Sequence, residues 1–91
     1  MENYLVEISP AAERDFKKLK SKLPNFNELV SIIDNLSIEP RPPGVRKIKR
    51  FQNTYRIRFF SYRIIYDVFD KDNRVIILRV LKRNESTYEF K

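Results

Sequence analysis

PRPPGVRKIKRFQNTYRIRFFSYRIIY, residues Pro40–Tyr66, decides how the chain is read. Pro40, Pro42 and Pro43 lack the amide that a helix interior needs, and Gly44 frees the backbone to turn. Past this break the hydrophobic period becomes two. Val45–Phe51 alternates Val45, Lys47, Lys49 and Phe51 with Arg46, Ile48 and Arg50, which predicts a strand. Gln52-Asn53-Thr54 reads as a turn. Tyr55–Phe60 sets Tyr55, Ile57 and Phe59 on one face and Arg56, Arg58 and Phe60 on the other. After Ser61 the alternation resumes over Tyr62–Phe69, with Tyr62, Ile64, Tyr66 and Val68 against Arg63, Ile65 and Asp67. The same window holds eight basic residues (Arg41, Arg46, Lys47, Lys49, Arg50, Arg56, Arg58, Arg63) and no Asp or Glu. Since the whole chain carries +7, everything outside it sums to −1. A basic, aromatic-interleaved sheet face is the footprint of a phosphate-rich partner.

Working outward, Asp70–Asn73 is a turn by composition, and Val75–Leu81 is apolar on both faces except for Arg79, the sign of a central strand. Lys82–Lys91 is polar apart from Tyr88 and Phe90. On the other side, Tyr4–Ile8 reads as a short strand. Ser9 then caps a helix with Pro10 at its first position, and Ala12, Phe16, Leu19 and Leu23 form its apolar stripe. Glu13, Arg14, Lys17, Lys18 and Lys20 take the opposite face. Pro24 separates this helix from a second, capped by Asn25 or Asn27, whose stripe of Phe26, Leu29, Val30, Ile33 and Leu36 reaches about Ser37. Strand, helix, helix, then a meander predicts an α+β domain spanning residues 1–91: a mostly antiparallel meander of three to four strands with the helical hairpin on one face. The other face stays partly open, and alternation puts Arg56 and Arg58 there.

Absences narrow the chemistry. The chain has no Cys, no His and one Gly. That excludes a structural zinc site, a Ser-His or Cys-His nucleophile, a histidine acid/base pair and a glycine-rich nucleotide loop. No metal and no cofactor are expected, so catalysis must use Arg, Lys, Tyr, Glu or Asp. The start MENYLVEIS lacks a basic segment followed by an apolar run, and no apolar stretch approaches the roughly 18 residues of a membrane span. The expected setting is the cytoplasm, with no membrane partner.

Four segments, in this order and spacing, resemble the RelE-type toxins of the RelE/ParE superfamily. They are LSIEPRPPGVRKIK (Leu36–Lys49), YRIR (Tyr55–Arg58), SYRIIYDV (Ser61–Val68) and VIILRVLKR (Val75–Arg83) followed by Tyr88. The likeness runs from Ile8 to Tyr88. It implies a toxin held inactive by a cognate antitoxin, reaching operator DNA only through the antitoxin complex. Freed, such a toxin enters the aminoacyl site of a translating ribosome and cleaves the messenger. The resemblance carries five positions, Arg56, Arg58, Arg63, Arg83 and Tyr88; of these we expect Arg63, Arg83 and Tyr88 to serve catalysis and Arg56 and Arg58 to bind RNA, with Lys47 and Lys49 of the basic window beside them. A sister branch poisons DNA gyrase and generally lacks this complete basic set; that activity, or a degenerate toxin that only binds its antitoxin, is the alternative. Two departures matter. Leu81-Lys82-Arg83 stands where many relatives have Gly-His-Arg, so a histidine acid/base is absent. Arg56 and Arg58 stand where some relatives have lysine, and arginine does not release its proton. Tyr88 or Glu85 is left as base.

The reaction implied is attack of a ribose 2′-hydroxyl on the adjacent phosphate, giving a 2′,3′-cyclic phosphate and a 5′-hydroxyl. Each residue also has a plainer reading. Arg56 and Arg58 would serve as edge-strand charges against aggregation, and Arg63 as an ion-pair partner of Asp67 or Asp70. Arg79, interrupting an apolar strand, reads as structural. Tyr55, Tyr62 and Tyr66 read as core residues with the hydroxyl at an edge. Lys17, Lys18, Lys20 and Lys22 form a solvated helix face, with contact to ribosomal RNA backbone as the alternative.

Overall fold

Ser9 and Pro10 start helix α1 (Pro10–Lys22) as their chemistry dictates. The Ser9 hydroxyl accepts the Ala12 amide, and Pro10 sits where no amide is required. The computed structural model describes residues 3–83. Strand β1 (Leu5–Ile8) precedes α1, and α2 (Phe26–Asn35) follows it after a short turn. Phe16 and Phe26 lock the two helices edge to face, with ring centroids 6.2 Å apart. Helix α2 stops before Ser37; the Leu36 amide reaches the Ile33 carbonyl in a tightened last turn, and Asn25 gives no side-chain cap. No helix among the described residues is long and apolar enough to cross a membrane.

The remaining strands are β2 (Arg46–Lys47), β3 (Thr54–Phe59), β4 (Tyr62–Phe69) and β5 (Arg74–Lys82). They form one five-stranded sheet in the order β1-β5-β4-β3-β2. The α+β expectation holds, and β1 adds what local pattern did not show: it runs parallel to β5, with Val6 opposite Val75 and Ile8 opposite Ile77. That makes β5 a central strand, as its two apolar faces predicted. Leu19, Leu29, Ile33 and Leu36 from the helical side pack with Ile57, Ile64, Tyr66, Val68, Val75 and Ile77 from the sheet.

Three boundaries differ from expectation. The strand predicted over Val45–Phe51 shrinks to two residues: Ile48, buried, still donates its amide to the Thr54 carbonyl, but the Phe51 amide then folds back onto the Ile48 carbonyl and the chain turns. The Lys47 ammonium donates to the carbonyls of Ile48 and Phe51, closing the loop. Thr54 opens β3 rather than ending a turn, fully buried and hydrogen-bonded to Asp67 opposite it. Phe60 leaves the strand for the two-residue turn between β3 and β4, with a left-handed φ of 54°.

Two polar clusters position the sheet. Beyond Ile8, β5 loses β1 as neighbour, and α1 takes over its edge. The Asp15 carboxylate accepts the Val80 amide at 2.9 Å and the Arg79 guanidinium at 2.8 and 3.1 Å, while the Ser9 hydroxyl donates to the Leu78 carbonyl at 3.0 Å. Arg79 is thus structural, as its place in an apolar strand implied. Leu78 itself is the extra residue of a bulge: Ile65 faces Arg79 but Tyr66 faces Ile77.

At the other end, Pro43 and Gly44 make the turn their chemistry favours, with φ 89° at Gly44 and the Val45 amide on the Pro42 carbonyl. Arg41 binds Asp70 through two nitrogens at 2.8 and 3.1 Å and donates through Nε to the Tyr55 hydroxyl at 3.0 Å. Tyr4 adds a hydrogen bond to Asp70 at 2.6 Å. Tyr66, wholly buried, donates to the Pro40 carbonyl at 2.8 Å, and burial pushes its hydroxyl pKa up. The proline loop is thereby tied to the ends of β3 and β4. The Arg41 guanidinium, then the Tyr4 hydroxyl, hold the Asp70 carboxyl below its ordinary range.

Both clusters make predictions. Asp15→Ala removes the carboxylate that accepts both the Arg79 guanidinium and the Val80 amide. It should lower stability by about 2–3 kcal/mol in urea unfolding, less than a fully buried pair because Arg79 is partly exposed. A carboxyl whose folded pKa is depressed stabilises above its unfolded pKa and loses that contribution as pH falls through the folded value. Arg41→Met should therefore cost stability at neutral pH, and its urea midpoint should move toward that of the wild type as pH falls below about 4, the ordinary aspartate value.

Candidate nucleic-acid interface

Alternation along β3 sends Tyr55, Ile57 and Phe59 toward the helices and Arg56 and Arg58 to the opposite face. Register then decides what joins them. Arg46 on β2 stands opposite Arg56, and Arg63 on β4 stands opposite Arg58. Directly opposed residues share a face with Cβ atoms about 5 Å apart, and like charges there are destabilising. Four guanidinium-bearing residues on two adjacent rows make a concentrated positive surface. Beneath it, Ile65 opposite Arg56 and Leu81 opposite Arg63 are buried, separate from the main core.

Arg63 is the most informative of the four. The plainer reading paired it with Asp67 or Asp70, but Asp70 is held by Arg41 and Tyr4, and Asp67 accepts the Thr54 hydroxyl. Arg63 is half-buried, and its Nε is buried with no hydrogen-bond partner among the described residues. A buried donor left unmade costs its desolvation. Arg83 reaches the same end of the sheet through its backbone: its amide donates to the Ser61 carbonyl at 2.8 Å, beside the turn that joins the Arg58 and Arg63 strands. Tyr88 and Glu85 lie outside the described residues.

Lys47 does not join this group. It stands opposite Tyr55, on the helix-side parity, with its ammonium 5.5 Å from that ring and bound to loop carbonyls. Lys49 is exposed in the following turn and lines a cavity of about 310 Å³ with Lys47, Ile48, Arg50 and Arg56. Reading the chain by residue type missed Arg46, whose place opposite Arg56 depends on hairpin register; the charge run Arg46–Arg50 was its only trace. On α1, Lys17 sits 3.8 Å from Glu13 as a solvated pair. Lys18 and Lys22 border a cleft of about 330 Å³ with Tyr62, Arg79 and Lys82.

Arginine is always charged and donates in a planar fork that matches phosphate oxygens. The arrangement can therefore bind phosphates and stabilise charge developing on one, but it cannot itself take up a proton.

The chain is similar to known toxins over nearly its whole length. The sequence model of the ParE toxin of the type II toxin–antitoxin system parDE matches residues 6–87. A toxin candidate named RelE1 from Methanocaldococcus jannaschii is 32% identical over 85 residues, covering 92% of this chain and 93% of that protein. The toxin–antitoxin complex RelBE2 of Mycobacterium tuberculosis contains a chain 30% identical, with a TM-score of 0.72, over 89% of this chain and 99% of that one. The archaeal RelE–RelB complex of Pyrococcus horikoshii contains one 27% identical, with a TM-score of 0.77, over 92% and 99%. With its two helices on one face of a mixed sheet and its run of arginines on the other, the chain belongs to the RelE/ParE superfamily of type II toxin–antitoxin toxins.

Proposed function

We propose that this toxin is an endoribonuclease that cleaves messenger RNA in the aminoacyl site of the ribosome. The observation that carries this reading is the Arg58–Arg63 pair, two cations directly opposed, one with a buried donor unmade among the described residues. A partner bearing closely spaced phosphates would relieve both costs at once. In this reading Arg56 and Arg58 seat the scissile phosphate and its neighbour. Arg63 and Arg83 stabilise the charge that gathers on phosphorus-bound oxygens when the 2′-hydroxyl attacks. Tyr88 stacks on a base or ribose, or serves as base with Glu85 as the alternative. Positioning by the ribosome then supplies much of the rate, since acid/base groups are few.

The partner at rest is a cognate antitoxin, as in the RelE–RelB and RelBE2 complexes to which the chain is similar. An acidic or amphipathic segment over the arginine face would fit the charge. Operator DNA would be met only through that complex, in the cytoplasm. The match to the ParE model favours a second reading, inhibition of DNA gyrase by binding alone.

Induction in cells with mapping of messenger 5′ ends separates the two. New ends inside translated codons should appear with the wild type. Arg63→Ala and Arg83→Ala should each reduce them by roughly a hundredfold or more, the usual cost of losing one transition-state donor. Arg63→Lys should retain part of the activity, keeping the charge without the fork. Growth arrest with intact messengers and DNA-damage signalling would establish the gyrase reading instead.

A further inference from the structure

Two described residues other than glycine have positive φ, Asn73 at 50° and Phe60 at 54°. Asn73 needs no further account. Asparagine tolerates the left-handed region, and here its amide reaches the Asp70 carbonyl while its own carbonyl accepts the Leu5 amide. Phe60 has no such excuse. A two-residue hairpin turn favours Gly, Asn or Asp at positive φ, and a bulky aromatic there is strained. Burial does not explain it either, since Phe60 is 63% exposed. Phe59 meets its ring edge-to-face at 4.9 Å, which restrains the ring while leaving most of it to solvent.

What surrounds this ring is charge. The register rows leading into the turn are Phe59 opposite Tyr62, then Arg58 opposite Arg63. The carbonyl of Ser61, the other turn residue, holds the Arg83 amide. The backbone thus brings three arginines to the one hairpin tip that displays a strained, exposed aromatic. Arginines that track a phosphate backbone beside an aromatic face are the parts of a single-stranded nucleic-acid site. We infer that Phe60 is a stacking platform for an unpaired base of RNA whose phosphates lie on Arg58, Arg63 and Arg83. This rests on the reading of the arginine face as an RNA interface, and it adds a contact that no charge supplies.

The test is binding of a labelled, unstructured oligouridine to the full chain at several salt concentrations. The variants are Phe60→Ala, Phe60→Trp, Arg58→Ala and Ile38→Ala, with a thermal melt of each to establish folding. Ile38 is the control, equally exposed at 63% but in the turn that follows α2, on none of the strands that carry Arg58, Arg63 and Phe60's turn. Phe60→Ala should weaken binding roughly tenfold with the salt slope unchanged, because stacking releases no counterions. Phe60→Trp should bind as well as the wild type or better. Arg58→Ala should weaken binding and lower the salt slope by about one.

If Phe60→Ala binds like the wild type while Arg58→Ala does not, the stacking role is overturned and the arginine face stands. If Arg58→Ala also binds like the wild type, or the wild type does not bind, the interface reading falls and the stacking role with it. Equal losses for Phe60→Ala and Ile38→Ala would overturn it as well, since mere apolar exposure would then suffice. Repeating the comparison on ribosomes with and without messenger identifies the base. A Phe60→Ala loss only with messenger places a messenger base on the ring, and an equal loss without it places a ribosomal RNA base there.

Discussion

The structure depends on keeping β5 paired along both edges. Its side chains are apolar on both faces, so it has to lie in the middle of the sheet, and its backbone groups must find partners there. One edge is straightforward, because β4 pairs along its whole length. The other is served in two ways. β1 covers Arg74–Ile77 in parallel, and where β1 ends, Ser9 and Asp15 take the Leu78 carbonyl and the Val80 amide. The same Ser9 caps α1, so one residue ends a strand, starts a helix and holds a third element. Moving α1 would strip the edge of β5, which is why helix and sheet behave as one unit.

That rigidity lets the far face carry what would otherwise be a liability. A directly opposed like-charge pair costs up to about 1 kcal/mol, whereas full burial of one large aliphatic side chain contributes roughly 1.5–3 kcal/mol. Ile57 and Ile64, which form the row between the two arginine pairs on the helix side, outweigh both pairs by that measure. The register is thus set by the apolar face, and the arginines are held at fixed spacing as a consequence. A fixed backbone spacing limits how far the guanidiniums must rearrange to meet an anion, and electrostatic stabilisation is strongest where the least reorganisation is needed.

What was legible from the residues alone was whatever depends on near neighbours. Ser9-Pro10, the two helical stripes, the proline break and the faces of Tyr55–Phe59 all follow from spacing within a few positions. The parallel seat of β1 was not legible, since it joins residues nearly seventy positions apart in sequence. Nor was the early end of β2: alternation fits a strand to Phe51, but the Phe51 amide folds back onto the Ile48 carbonyl. That Arg56 and Arg58 share the face away from the helices was legible from alternation, whereas the placement of Arg63 opposite Arg58 and of Arg46 opposite Arg56 needed the hairpin register. The loop contacts of Lys47 were not legible either: it is exposed, as a lysine in a basic run reads, but its ammonium also staples a loop beside Tyr55.

The distribution of strain and charge also bears on how such a toxin is kept in check. Its least comfortable features lie at one end of the molecule: opposed arginines, an unmade Arg63 donor and a left-handed Phe60. The Arg41–Asp70 cluster and its neighbours, at the opposite end of β3 and β4, are fully paired. An anionic segment laid over the arginine end would satisfy what the free chain leaves open, and a ligand that binds only the folded state stabilises it by mass action. Under the proposed function, an acidic antitoxin segment and RNA phosphate would compete for the same arginines, the unmet Arg63 donor among them. Inhibition would require no change of shape in the toxin, only prior occupation of a surface that is costly to leave bare.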